Sequence, residues 1–242
     1  MSALLEITGL SKRFGGLRAV DDFSLDIAQG ELRCLIGPNG AGKSTVFKLI
    51  LGYFPPTAGA VRFRGEDITK INAAARIRRG MSVKMQVPSV FPDLQVRQNL
   101  EIALQSHFTG IDLAHEIERL LVMVDLADQA RKSAGALAHG QKQWLEIAMA
   151  VGMRPTLLLL DEPTAGMSPE ETYKTGGMIQ ELNRAGMTVL VVEHDMAFVR
   201  QIARTVSVLH FGRLFAQGSI DEITANEAVQ EIYLGKSHHH GH

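Results

Sequence analysis

Cysteine is nearly missing: Cys34 is the single one in 242 residues. No intrachain disulfide can form, which suits a reducing compartment without proving one. No run of about 18 uninterrupted apolar residues occurs, so no membrane span is expected and any membrane role must come through a partner. The start, Met1-Ser2-Ala3-Leu4-Leu5-Glu6, has no basic region followed by an apolar one, and no secretory signal is expected there. An excess of charge is also lacking. Twenty-five basic against 26 acidic side chains give a net charge of −1, whereas a nucleic-acid binder gathers a basic excess on one face. The short cluster Arg76, Arg78 and Arg79 is expected to be solvated surface. Internal repeats and low-complexity segments are absent too.

What is there is an ordinary folded composition, 45% apolar and 21% charged, long enough for one large domain or one domain with an insertion. Two antiparallel strands are expected near Leu4–Leu10 and Phe23–Ile27, then a strand at Glu31–Ile36 feeding a helix from Lys43 to Leu51. Short strands follow at Ala60–Arg64 and Met81–Gln86. From Pro88 to Val151 apolar residues recur at helical spacing (Leu100, Leu104, Ile117, Leu120, Leu121, Val124), which reads as a helical insertion. The last third alternates again, with strands at Leu157–Leu160 and Met187–Val192. Helices are expected at Glu170–Arg184 and Met196–Ala203. A closing hairpin, Thr205–His210 and Arg213–Ala216, turns at Gly212. Strands alternating with helices imply an α/β fold whose parallel sheet is covered on both faces. The His-rich end, His238, His239, His240 and His242, reads as a flexible tail (236–242) rather than a metal site.

Gly37-Pro38-Asn39-Gly40-Ala41-Gly42-Lys43-Ser44 fits the pattern G-x-x-x-x-G-K-[ST], and it stands between a strand and a helix. Gly40 and Gly42 let the backbone curl so that its amides face phosphate oxygens. The helix opening near Lys43 adds its positive end. Lys43 is expected to reach the β- and γ-phosphates and the Ser44 hydroxyl to ligate Mg²⁺. Alone, such a segment could be a glycine-rich turn; its strand–loop–helix setting argues against that.

Leu157-Leu158-Leu159-Leu160-Asp161-Glu162 is an apolar strand ending in two acids. A buried strand delivers Asp161 and Glu162 to its carboxyl edge, where ligands bind in open α/β sheets. Asp161 is expected to hold Mg²⁺ through water, and Glu162 to act as general base on the attacking water.

Leu137-Ala138-His139-Gly140-Gln141, followed by Lys142-Gln143-Trp144-Leu145-Glu146-Ile147-Ala148, resembles the signature segment of ABC transporter ATPases, usually L-S-G-G-Q. The resemblance runs from about Leu4 to Gly235. It implies a P-loop NTPase (RecA-like) core, residues 1–87 and 152–235, with an antiparallel β subdomain and a helical signature subdomain at 88–151. It implies ATP and Mg²⁺ as ligands, and two ATPase subunits joined head to tail so that each signature segment caps the partner's ATP. Phe14 resembles the aromatic residue that stacks on adenine, with a core phenylalanine as its alternative, and Thr45 completes the nucleotide set. Gln86 matches the glutamine that senses Mg²⁺ and the attacking water. His194 matches the switch histidine at the γ-phosphate.

Three departures stand out. Ala138 replaces the usual serine and removes a donor to the γ-phosphate, His139 replaces a glycine and could serve as a substitute donor, and Ser168 stands where many relatives carry aspartate. Within the family, 13–20, 86–91, 139–144 and 232–235 are similar to importers of branched-chain amino acids and, more closely, of urea or short amides. That branch implies permease partners, a second ATPase subunit, and indirectly an external solute-binding protein. It also implies a peripheral place on the cytoplasmic face of the membrane. The residues just past Gln86, with the insertion to about His107, are expected to form a groove that receives a permease helix, with internal packing of Val87 to Leu94 as the alternative. A poorly hydrolysing regulatory subunit and an exporter motor are the alternatives. A soluble ATPase of DNA repair or translation would need coiled-coil arms or tandem cassettes, which this chain lacks.

Overall fold

The computed structural model describes residues 3–86 and 89–234. The expected subdomain boundary at 87/88, the start of the expected permease-facing patch and the His-rich tail lie outside them. In chain order the elements are β1 (Ala3–Phe14), β2 (Leu17–Ala28), β3 (Leu32–Ile36), α1 (Lys43–Leu51), β4 (Ala58–Phe63), β5 (Glu66–Asp67), α2 (Ala73–Arg78) and β6 (Met81–Lys84). Then come α3 (Val96–Leu104), α4 (Gly110–Met123), α5 (His139–Gly152), β7 (Leu157–Asp161), α6 (Pro169–Arg184) and β8 (Thr188–Val192). The chain continues with α7 (Met196–Ile202), β9 (Thr205–His210), β10 (Arg213–Gly218), α8 (Ile220–Ala225) and α9 (Glu227–Leu234).

Two compact units form, one from residues 3–28, 32–73 and 192–234, the other from 29–31, 74–86 and 89–191. In the first unit, β1 and β2 make a long hairpin with Phe14 opposite Leu17 at the Gly15–Gly16 turn and Leu10 opposite Phe23. β4 adds antiparallel to β1 and β5 to β4, giving the order β2-β1-β4-β5. Alternation along β1 and β2 turns Leu5, Ile7, Leu10, Val20, Phe23, Leu25 and Ile27 inward, as a half-buried antiparallel sheet requires. The same unit holds β3 parallel to β9 and β10 antiparallel to β9. β3 is buried at all five positions, because strands of a parallel sheet are covered on both faces.

The second unit pairs β6 with β7 in parallel, and β7 and β8 are buried at every residue. Its helices α3, α4 and α5 bury Leu100, Leu104, Ile117, Leu120, Leu121, Leu145 and Ile147. Burying one such side chain contributes roughly 1.5–3 kcal/mol. At the end of α5 the fit is close: a Cβ on Gly152 would lie 2.7 Å from Leu104 and 2.8 Å from Leu120. Helix α6 starts on a reciprocal cap, the Ser168 hydroxyl accepting from the Glu171 amide and the Glu171 carboxylate from the Ser168 amide, with Pro169 in the first turn.

Several expectations need correction. Arg76 is 1% exposed rather than solvated, because α2 turns it inward while Arg78 and Arg79 stay at the surface. β1 and β2 extend well past Leu10 and ahead of Phe23, since cross-strand hydrogen bonds carry the hairpin through polar positions. Helices α2, α8 and α9 and the short strand β5 were not anticipated.

Candidate functional site

The phosphate-loop residues of the first unit take the expected shape. β3 ends at Ile36, and α1 begins at Lys43 with Gly42 as its N-cap at φ 106° and ψ 4°. An L side chain resists that backbone, and there is no room for one: a Cβ on Gly42 would lie 2.4 Å from the Ala19 carbonyl oxygen. Gly40 is also left-handed, φ 79°, but faces open space. The Lys43 ammonium folds back across the loop and donates to the Gly37 and Pro38 carbonyls at 2.6 and 3.1 Å. A phosphate taking this ammonium exchanges those bonds for charge-assisted ones. Lys43 is 7% exposed, so the charge sits in poorly hydrated surroundings where an anion gains most from it. Ser44 is exposed at the helix start, its hydroxyl open to a metal or phosphate.

Phe14 is 41% exposed, so the core alternative falls away. Its ring meets Phe54 edge-on at 5.3 Å, and the Lys12 ammonium lies 5.2 Å from its centroid. A flat aromatic face at the surface offers a stacking platform for a base. His194 is exposed as well. Its amide donates to the buried Glu193 carboxylate at 3.0 Å, and the Asp195 carboxylate caps α7 by accepting from the Ala197 and Phe198 amides. The turn after β8 is thereby fixed on both sides of His194. Cys34, buried in β3, has its thiol pushed up by burial and then by the Glu193 charge, which keeps it protonated and inert.

In the second unit β7 delivers Asp161, 4% exposed, and Glu162. Glu162 has φ 44°, a left-handed backbone that costs a non-glycine residue about 1–3 kcal/mol. Both ends of the residue are engaged: its carboxylate accepts from the Gln86 amide at 2.9 Å and its carbonyl from the buried Lys84 ammonium at 3.4 Å. The structure therefore joins Gln86 and Glu162, two residues 76 positions apart that sequence reasoning nominated on separate grounds.

The signature residues open α5. Ala138 is its N-cap and offers no side-chain cap. The Gln141 side chain instead accepts from the Ala138 amide at 3.1 Å. A Cβ on Gly140 would fall 2.4 Å from the Glu171 carboxylate on α6, the end of a side chain that can turn away. His139 leans on its own subunit: Nε2 lies 2.9 Å from the Ala165 carbonyl and 3.2 Å from the Gln143 side-chain nitrogen. Those contacts engage one of the two ring nitrogens of a residue expected to act as a substitute donor. One residue went unnoticed in the sequence. Glu146, 6% exposed on α5, accepts from the Ser89 amide just past Gln86, and its other carboxylate oxygen is buried without a partner among the described residues. Burial pushes its pKa up; the Ser89 amide and the charges of Lys84 and His139 oppose that only in part.

Residues 20–165 match the family model described as ABC transporter. The chain belongs to the ABC transporter family. It is the ATP-binding, ATP-hydrolysing cassette of that family, with the α/β P-loop fold expected from the motifs. A similar relative is the high-affinity branched-chain amino acid transport ATP-binding protein BraF of Pseudomonas aeruginosa, 36% identical over 97% of this chain and 98% of the relative. The counterpart LivG of Escherichia coli is 34% identical over the same shares. Among solved structures, the ADP conformation of the ATP-binding cassette MJ1267 superposes with a TM-score of 0.87 at 27% identity, over 98% of this chain and 100% of that one. No helix among the described residues of this chain is long and apolar enough to cross a membrane.

Proposed function

We propose that this cassette binds ATP with Mg²⁺ and hydrolyses it to drive an importer of branched-chain amino acids, urea or short amides, on the cytoplasmic face of the membrane. Identity of 36% with BraF along nearly the whole chain supports the importer branch. Lys43 and the amides of residues 40 to 45 take the β- and γ-phosphates, and Phe14 stacks on the base. Ser44, Asp161 and Gln86 suit Mg²⁺. An exposed hydroxyl, a buried carboxylate and an amide oxygen are hard oxygen ligands, and the metal needs few protein ligands when phosphates and water complete its shell. When bound, the metal neutralises charge on the phosphates.

Glu162 orients water and accepts its proton as the water oxygen attacks the γ-phosphorus in line and the bond to the ADP oxygen breaks. His194 donates toward the γ-phosphate. Leu137 to Gln141 complete the site of a second ATPase subunit, identical or different, with permeases docked near the helical insertion and an external solute-binding protein acting through them.

The observation that carries this reading is the Gln86–Glu162 hydrogen bond at a strained strand end. Removal of a positioned general base costs about 10²–10⁴-fold in rate. Glu162→Gln is therefore expected to abolish phosphate release while retaining ATP binding. Hydrolysis that persists in this variant, with the partner subunit present, sinks the assignment. In vesicles containing the permeases, stimulation of turnover by urea but not leucine, or the reverse, fixes the solute class. Indifference to both defeats the importer branch.

A further inference from the structure

We infer that Asp21 and Arg213 are positioning residues for the phosphate loop, acting through the Gly212 turn to fix the peptide between Ala41 and Gly42. The inference rests on the phosphate-loop reading above, and every atom it uses belongs to the first unit. β9 and β10 are joined by Phe211 and Gly212, at φ 46° and 77°. This two-residue left-handed turn matches the natural twist of a hairpin. The turn does more than reverse the chain. The Gly212 amide donates to the Ala41 carbonyl at 2.8 Å, and the Gly212 carbonyl accepts from the Asp21 amide at 2.9 Å. Backbones of β2, the hairpin turn and the phosphate loop touch directly, for a Cβ on Gly212 would lie 2.8 Å from the Ala19 oxygen and 2.9 Å from the Val20 Cα.

The bond to Ala41 has a consequence for the ligand side. A trans peptide is planar, with its C=O and N–H pointing in opposite directions. Holding the Ala41 oxygen against the hairpin therefore aims the Gly42 N–H the other way, into the concave side of the loop where phosphate oxygens bind. If the hairpin turn loosens, that peptide is free to rotate and the donor is lost.

Side chains lock the turn. One Asp21 oxygen accepts from Arg213 Nε and Nη2 at 2.9 and 2.6 Å, and the other from Arg18 Nη1 at 2.7 Å. Arg213 follows Gly212 directly, so the fork clamps β10 to β2 within one residue of the bond to the loop. The Asp21 side chain is 16% exposed and Arg213 62%, so the pair is accessible to substitution without opening the core. The Arg18 hydrogen bond, then that of Arg213, holds the Asp21 carboxyl below its ordinary range, and the clamp stays charged at neutral pH.

The test is a fluorescence titration of the purified full chain with a labelled adenine nucleotide and Mg²⁺, beside ATP turnover and melting temperature without nucleotide. Asp21→Ala is expected to weaken nucleotide binding about tenfold, as small misplacements of a binding group do. KM should rise in step while kcat at saturating ATP stays within about twofold. Arg213→Lys, which keeps the charge but loses the fork, should fall between parent and Asp21→Ala. Asp21→Glu, which keeps the carboxylate that both arginines need, should recover most of the affinity. Unchanged affinity in Asp21→Ala, a fall in kcat at constant KM, or no recovery in Asp21→Glu overturns the inference. Lys43→Ala separates the two readings. If the parent protein binds no nucleotide, the phosphate-loop reading fails. If binding depends on Lys43 but not on Asp21, only the clamp fails.

Discussion

Replacing Gly42 by alanine asks whether the curve of the phosphate loop is built into the chain. The structure sets two costs. The first is conformational: at φ 106° an L residue sits in a backbone region it avoids, for about 1–2 kcal/mol. The second is steric, since the new Cβ would meet the Ala19 carbonyl at 2.4 Å. That neighbour is main chain rather than the end of a flexible side chain, so the loop or β2 must shift, for about 1–3 kcal/mol. The sum of about 2–5 kcal/mol lowers the melting temperature by about 2–4 °C for each kcal/mol in a chain of this size, or roughly 5–20 °C.

Gly40→Ala is the control. Gly40 is left-handed at φ 79° but a Cβ there meets nothing within 4 Å, so only the conformational cost of about 1–2 kcal/mol applies. Melting curves are recorded by circular dichroism in the absence of nucleotide, so that contacts with phosphate do not enter. Gly42→Ala should melt clearly below Gly40→Ala, and both below the parent. Equal melting temperatures for the two variants would refute the claim that β2 shapes the loop from outside.

Glu146→Gln should change stability with a definite pH dependence. The native carboxyl holds its proton more tightly than the unfolded chain does, so parental stability falls as pH rises from the ordinary carboxylate range through the raised native value. The glutamine variant should gain on the parent between pH 4 and pH 7.5; an advantage that shrinks with pH removes the argument. Ala138→Ser should supply the missing N-cap of α5, for about 0.5–2 kcal/mol and a higher melting temperature. No increase would mean that a hydroxyl at this position does not reach the amides of the first turn.

The phosphate loop was legible because its pattern encodes backbone geometry. Glycine at 40 and 42 allows left-handed φ, and both residues have it. The inner strands were legible because Leu157–Leu160 and the Val-rich run to Val192 are too apolar to lie anywhere but inside. Helices α8 and α9 were not, being short and without a long apolar period, although Ser219 and Glu222 form a capping box that the sequence does spell out. Arg76 was misjudged because a charge cluster says nothing about which member a helix turns inward. For Gln86 the resemblance supplied the role, and no spacing rule ties it to Glu162. Glu146 was invisible for a different reason: an acid on a helix reads as surface until the Ser89 amide is seen to donate to it.

Left-handed non-glycine residues occur elsewhere too, at Asp22 within β2 and at Arg64, Asp125 and Arg154 between elements, so strain alone does not mark chemistry. Glu162 differs in what surrounds it. It follows a strand buried at every residue, precedes Pro163, and has both its carbonyl and its carboxylate hydrogen-bonded. A residue held at both ends cannot relax the cost of its backbone by rotating, and its carboxylate direction is settled before any water arrives. For a general base this fixing is useful, because orientation need not be acquired during the reaction. The same reasoning accounts for Gly42, whose curvature is imposed by β2 and the Gly212 turn rather than by the loop's own side chains. On both sides of the proposed reaction, the chain outside the motif holds the motif in a shape its own residues would not choose.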